Sequence, residues 1–200
     1  QAVPLLGRRT AGARTIARAL DRARRDTSVK AIVLRINSPG GSATASESIH
    51  RAVVRAKEKK PVIVSMGSVA ASGGYYAAAP ATRIFANPAT VTGSIGIYAG
   101  KISISGLWDL LTVQRETLRR GARADMFSTD RRFTDEERKV LTERLKAGYD
   151  LFVGRVAEGR DKSIEEVEAV AQGRIWSGRD AMAQGLVDEL GGIRAALDSA

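Results

Sequence analysis

The apolar positions of the chain fall into short runs of two kinds, one spaced as in a helix and one continuous. Ile16, Ala17, Leu20 and Ala23 recur at helical spacing, which predicts an amphipathic helix over residues 10–26. Residues 29–36 (VKAIVLRI) are a short β-branched run, the mark of a buried strand. Asn37-Ser38-Pro39-Gly40-Gly41 then breaks regular structure. Thr44 and Glu47 have capping-box spacing, and Ile49, Ala52, Val53 and Ala56 mark the helix that follows. Residues 61–66 (PVIVSM) predict a second buried strand, and residues 67–76 (GSVAASGGYY) a turn into a short, alanine-rich helix.

Farther along, residues 81–86 and 95–98 read as strands, with turns at Asn87-Pro88 and Thr92-Gly93-Ser94. Residues 113–118 alternate like a half-exposed strand. Thr134 and Glu137 cap a long helix whose stripe runs through Val140, Leu141, Leu145, Tyr149, Phe152, Val153 and Val156. Ser163 and Glu166 cap another, and residues 175–197 predict one short strand and small helices punctuated by glycine. Strand–turn–helix units repeat through the first half of the chain. They predict an α/β fold with a largely parallel sheet and helices packed outside it. Residues 1–200 are expected to form a single domain.

Composition narrows the picture. A hydrophobic share of 44% in 200 residues supports one real core and argues against disorder. The net charge of +10 is spread along the chain, with only residues 8–25 locally dense (Arg8, Arg9, Arg14, Arg18, Arg22, Arg24 and Arg25). Without stacking aromatics this reads as a solvated face, and no nucleic-acid partner is expected. No apolar run approaches the roughly 20 residues of a membrane span, and the N-terminal stretch is too short for a signal peptide. Any membrane anchor is expected in a segment outside this sequence. There is no cysteine, hence no thiolate nucleophile or disulfide. A lone histidine and scattered carboxylates give no metal-ligand spacing, and no Gly-Lys-Ser/Thr phosphate loop occurs, so neither metal nor cofactor is expected.

Two glycine-rich turns each follow a buried strand and open a helix, the crevice where α/β sheets place their sites. Pro39 fixes the entry of the first, and Gly40 and Gly41 let N–H groups turn outward. Ser72 lies in the second, where Gly73 and Gly74 allow close approach to a helix N-terminus. A hydroxyl facing backbone N–H donors is what acyl transfer requires, although the same Gly-Gly pattern also makes an ordinary tight turn. His50, which a Ser-His-Asp triad would need, precedes Ser72 and is expected as an exposed helix residue. Asp109, Asp125 and Asp130 read as turn and cap residues.

The segments AIVLRINSPGGSATASESI, KPVIVSMGSVAASGGYYAA and ANPATVTGSIGIY, with the tail AQGRIWSGRDAMAQGLVDELGG, resemble the signal peptide peptidase A family. These are Ser–Lys peptidases of ClpP/crotonase-like fold. The resemblance implies a serine endopeptidase that degrades cleaved signal peptides or other short apolar peptides. It implies Ser72 as nucleophile, an oxyanion hole from Gly40 or Gly41 together with Gly73, and Ser94 hydrogen-bonded to the catalytic lysine. Val69 and residues 77–79 either line a shallow apolar groove beside Ser72 or simply pack helix against sheet. A homo-oligomeric ring and a membrane-associated, extracytoplasmic (periplasmic) location are implied as well.

The pattern departs at the base. The family's Gly-x-x-Lys corresponds here to Gly121-Ala122-Arg123-Ala124, so Ala124 stands at the lysine position. Arg123 stays protonated and cannot replace it. Lys101 is expected to cap a strand at the surface. Three explanations are open. This chain is the serine-bearing C-terminal half of a long form whose N-terminal half carries the lysine; the lysine was replaced to trap substrate; or the domain is an inactive scaffold. The first is preferred, because residues 121–128 read as ordinary sequence and the family's leading apolar strand is missing. The competing functions are a noncatalytic assembly or binding domain and a crotonase-type acyl-CoA enzyme, which would not need Ser72.

Overall fold

In the computed structural model, which describes residues 11–200, the chain forms two compact units. The larger joins residues 11–96 to Leu151–Ala200, and the smaller is Ile97–Asp150. Arg8, Arg9, Thr10 and the short N-terminal stretch lie outside the described residues.

The larger unit begins with α1 (Ala13–Arg25), β1 (Ile32–Ser38), α2 (Ala43–Lys57), β2 (Val62–Ala71), α3 (Gly73–Ala78), β3 (Arg83–Ala86) and β4 (Val91–Gly93). In the smaller unit come α4 (Ser105–Leu110) and the first part of α5 (Asp135–Arg160). The last turns of α5, then α6 (Ile164–Val170), β5 (Ile175–Ser177), α7 (Gly178–Ala183), β6 (Glu189–Leu190) and α8 (Ile193–Asp198) return to the larger unit. The apolar stripe of α1, centred on Leu20, packs with Ala52, Val53 and Ala56 of α2 against Ile32 and Val62. Among the described residues no helix is long and apolar enough to cross a membrane.

The sheet is mixed and mostly parallel. β2 pairs in parallel with β1, β3 and β4, and β3 with β6, while β5 alone runs antiparallel, against β4. The expected α/β class and the outer helices are therefore observed. β2 continues well past its expected end at Met66, and the reason is a bulge. Ile36 pairs with Met66 but Ser38 with Ala70, so Gly67 and Ser68 are accommodated as extra residues. The Asn37 carboxamide accepts from the Val69 N–H at 3.2 Å, and Thr90 Oγ1 donates to the Gly67 carbonyl at 2.8 Å. A Cβ on Gly67 would stand 2.7 Å from Asn37 Oδ1, so this stitch needs glycine. The extended strand carries the chain to the rim of the sheet, where Ser72 follows.

Several sequence expectations are corrected. The cap of α2 is Ser42, whose hydroxyl accepts from the Ala45 N–H at 3.3 Å; Glu47 is directed elsewhere, so Thr44/Glu47 is not a capping box. The boxes at Thr134/Glu137 and Ser163/Glu166 do form. The strand expected at residues 95–98 lies at β4 instead, because Gly93 (φ 73°) and Ser94 (φ 49°) turn the backbone out of the ladder. Residues 113–118 form no strand; they are exposed and pair with no sheet edge. The C-terminal part holds two short strands where one was expected.

In the smaller unit an ion network organises the approach to α5. The Arg131 guanidinium donates to both oxygens of Asp125 (2.8 and 2.9 Å) and both of Glu137 (2.7 and 2.6 Å). These bonds hold both carboxyls below their ordinary range, Glu137 at about 2. Asp130 pairs with Arg115. Asp125 and Asp130 are thus ion-pair partners and not merely turn residues, while Asp109 lies exposed on α4.

Candidate active site

Ser72 ends β2 and opens α3 with φ 51° and ψ −121°, a region that side-chain-bearing residues rarely occupy. Two hydrogen bonds impose it. The Ser72 N–H donates to the Gly93 carbonyl at 2.9 Å, across to the neighbouring strand, and the Ser72 carbonyl accepts from the Tyr76 N–H at 2.8 Å. A strained strand-to-helix turn of this kind lifts a hydroxyl off the end of a sheet. Ser72 and Gly73 are partly exposed, so the turn is open to a ligand.

The Pro-Gly-Gly turn after β1 packs directly onto this turn. A Cβ on Gly40 (φ 101°) would stand 2.7 Å from the Gly73 nitrogen and 2.8 Å from Ser72 Cβ. One on Gly73 would collide with Ser46 Oγ and lie 3.4 Å from the Gly41 nitrogen, and one on Gly74 would meet the Ser38 carbonyl at 2.8 Å. The two turns interlock at distances only glycine allows. Their amides differ in availability. The Gly40 N–H donates to Ser38 Oγ at 3.1 Å, whereas Gly41 is exposed, and the Gly73 N–H is the first amide of α3, which has no intrahelical acceptor.

Ser94 leaves the neighbouring strand at the same level. Ala71 and Gly93 are register partners in the parallel β2–β4 pair, so Ser72 and Ser94 each follow one of a matched pair, and both take positive φ. The Ser94 N–H donates to the Arg174 carbonyl at 2.7 Å, while Gly173 N–H donates to the Ile95 carbonyl at 2.9 Å. Ser94 therefore ends a strand; the sequence pattern had it opening one.

Behind Ser72 lies a partly buried polar cluster that no sequence pattern announces. His50, expected on the surface, is 2% exposed, because it lies on the face of α2 turned toward α3 and stacks edge-on against Tyr76 at 5.3 Å. Burial, then the charge of Arg155, keeps its pKa below the ordinary value. The Tyr76 hydroxyl donates to Glu47 Oε2 at 2.6 Å; Arg51 and Arg155 donate to Glu47 Oε1 at 2.6 and 3.2 Å. Burial pushes the Glu47 carboxyl up, but the bonds from Tyr76 and Arg51 and the charge of Arg155 outweigh it and hold it at about 2. The Tyr76 phenol is pushed up by burial and by its bond to Glu47.

The remaining candidates are accounted for within their own units. Residues 77–79 are buried in helix–sheet packing, and only Val69 of the expected groove lining is partly exposed. Lys101 is not a surface strand cap: in the smaller unit its ammonium donates to the Met126 carbonyl at 2.7 Å and lies 4.4 Å from the centre of the Phe133 ring. Arg123 pairs with Glu136 at 2.6 Å, and Ala124 is exposed in a turn closed by its N–H to the Gly121 carbonyl.

The model of peptidase family S49 matches residues 54–200, and the Clp protease model matches residues 9–93. The chain is 40% identical over 169 residues to the chloroplastic serine protease SPPA of Arabidopsis thaliana, covering 84% of this chain and 25% of that protein. It is 41% identical to Protease 4 of Salmonella typhi (90% and 29%) and 39% identical to a putative signal peptide peptidase SppA of Enterococcus faecium (90% and 53%). The chain spans from a quarter to about half the length of these relatives.

Proposed function

Because the chain belongs to peptidase family S49, we propose that it cleaves peptide bonds by acyl transfer to Ser72, with the N–H groups of Gly41 and Gly73 holding the oxyanion. The observation that carries this reading is the strained φ 51° of Ser72 at a junction where the Pro-Gly-Gly turn and the first amide of α3 converge. Ser72 Oγ attacks the carbonyl carbon and its proton passes to a base. The carbonyl oxygen becomes an anion in front of the two amides, which need no reorganisation to meet it. The intermediate then collapses, the C–N bond breaks, the amine leaves with the proton, and water releases the acyl group from Ser72. Gly41 is preferred to Gly40 as donor because the Gly40 N–H is already committed to Ser38 Oγ.

The base is a lysine from outside this chain, in keeping with Ala124 at the family's lysine position, with the structural engagement of Lys101, and with relatives two to four times longer. Ser94, leaving β4 beside Ser72, orients that lysine by accepting from an N–H of its neutral amine, whose lone pair takes the Ser72 proton. Substrates are cleaved signal peptides or other short apolar peptides, after the name of the Enterococcus faecium relative. The whole protein works at the extracytoplasmic face of a membrane as a homo-oligomer. The test is turnover of an apolar peptide ester by the longer protein. Ser72→Ala should abolish it, and Ser94→Ala should lower kcat strongly while sparing stability. Full activity in a folded Ser72→Ala protein would refute the reading.

A further inference from the structure

The partly buried cluster behind Ser72 has no part in the acyl-transfer steps, yet it joins α3, which begins at the proposed donor Gly73, to α2, which follows the proposed donor Gly41. Tyr76 is 6% exposed and works at both ends. Its backbone N–H holds the Ser72 carbonyl at 2.8 Å, and its hydroxyl holds Glu47 Oε2 at 2.6 Å. Tyr76 lies in the first turn of α3, the helix headed by Gly73; Glu47 lies near the start of α2, the helix that Gly41 leads into. Glu47 is fixed in turn by Arg51 and Arg155, and the Tyr76 ring is packed by His50 at 5.3 Å and Phe152 at 4.7 Å. Ser46, the neighbour of Glu47, already sits where a side chain on Gly73 would have to go.

An apolar contact between two helices lets them slide by a few tenths of an ångström at little cost. A short hydrogen bond to a carboxylate does not, since it weakens steeply with distance and angle. The spacing between the Gly41 and Gly73 amides depends on how α2 and α3 are held together. Small errors in such spacing are costly, because donors must meet the oxygen where its charge develops. We propose that Tyr76 is a positioning residue: through Glu47 it fixes the relative placement of Ser72 and the two amides. The proposal rests on the reading of Ser72 as nucleophile.

The test uses the longer, active protein. Tyr76→Phe keeps the ring and removes only the hydroxyl. The expected result is a kcat lowered about tenfold to a hundredfold per active site, with KM within about twofold. Affinity for a peptide boronate, which forms a tetrahedral adduct on a serine, should fall by the same factor as kcat/KM. Glu47→Gln, which keeps an acceptor but loses the charge, should give a smaller loss of both. A purely structural role would instead lower the melting temperature and the fraction of competent enzyme, leaving kcat per titrated site and boronate affinity unchanged. That outcome, alongside an inactive Ser72→Ala protein, would overturn the positioning role alone. An active Ser72→Ala protein would overturn it together with the nucleophile on which it rests.

Discussion

Gly40 approaches Ser72 so closely that a Cβ on Gly40 would stand 2.8 Å from the Cβ of the serine. The contact joins two turns more than thirty residues apart in the chain, and it allows no side chain. Gly40→Ala should therefore cost more than about 1 kcal/mol, since the added methyl meets both a positive φ and a backbone nitrogen. Gly41→Ala carries only the φ penalty, because nothing lies within 4 Å of its Cβ position. Urea unfolding of the two variants checks this order, and equal losses would show that the turns do not interlock.

The start of α2 offers a second test. Ser42→Ala should lose about 1 kcal/mol, the usual worth of an N-cap, because the Ala45 amide loses its acceptor. Thr44→Ala should lose less, as the Thr44 hydroxyl meets the Ser42 hydroxyl rather than a helix amide, and the bond from Ser48 Oγ to the Thr44 backbone carbonyl survives the change. A larger loss at Thr44 in thermal melts would restore the capping box expected from sequence.

Acid should weaken the larger unit in two stages. His50 titrates near 6.5 when unfolded but is held lower in the fold, by burial and by Arg155, with Glu47, Glu158 and Arg51 also acting on it. The unfolded chain therefore takes up the proton first, and stability present above that pH is lost as pH falls below it. Glu47 follows the same sign: its carboxyl moves from 4.5 unfolded to about 2 folded, so its contribution is lost as pH falls through that window. Urea midpoints taken from about pH 8 down to about pH 2 should show both declines. His50→Leu should remove the upper one, and Glu47→Gln should reduce the lower, which Asp26, Asp125, Glu137 and Glu166, also held below their ordinary values, share. A single decline unaffected by either variant would contradict this reading of the cluster.

How far the sequence was legible depended on the range of each interaction. Local signals held: the helix stripe of α1, the buried runs of β1 and β2, and the boxes at Thr134 and Ser163 depend on residues a few positions apart. The glycine-rich turns were also visible, because proline and paired glycines restrict the backbone wherever they fall. What was hidden was long-range. The bulge at Gly67 depends on Asn37 and Thr90, and Glu47 has capping-box spacing although its partners are Tyr76 and Arg155. His50 looked like a surface residue because the face that buries it is supplied by Tyr76, on another helix. Lys101 looked solvated because Met126 and Phe133, which hold it, lie in the irregular stretch beyond it.

The site of covalent attack tests the proposed chemistry most directly. A fluorophosphonate should react with the longer protein proposed above at one residue, located by mass spectrometry of the digested adduct. The prediction is an adduct on Ser72 Oγ, absent from the Ser72→Ala variant, and, with the base supplied from outside this chain as proposed, formed at least about a hundredfold more slowly in the 200-residue chain. An adduct on another residue, or unchanged labelling of Ser72→Ala, would contradict the assignment of Ser72 as the nucleophile.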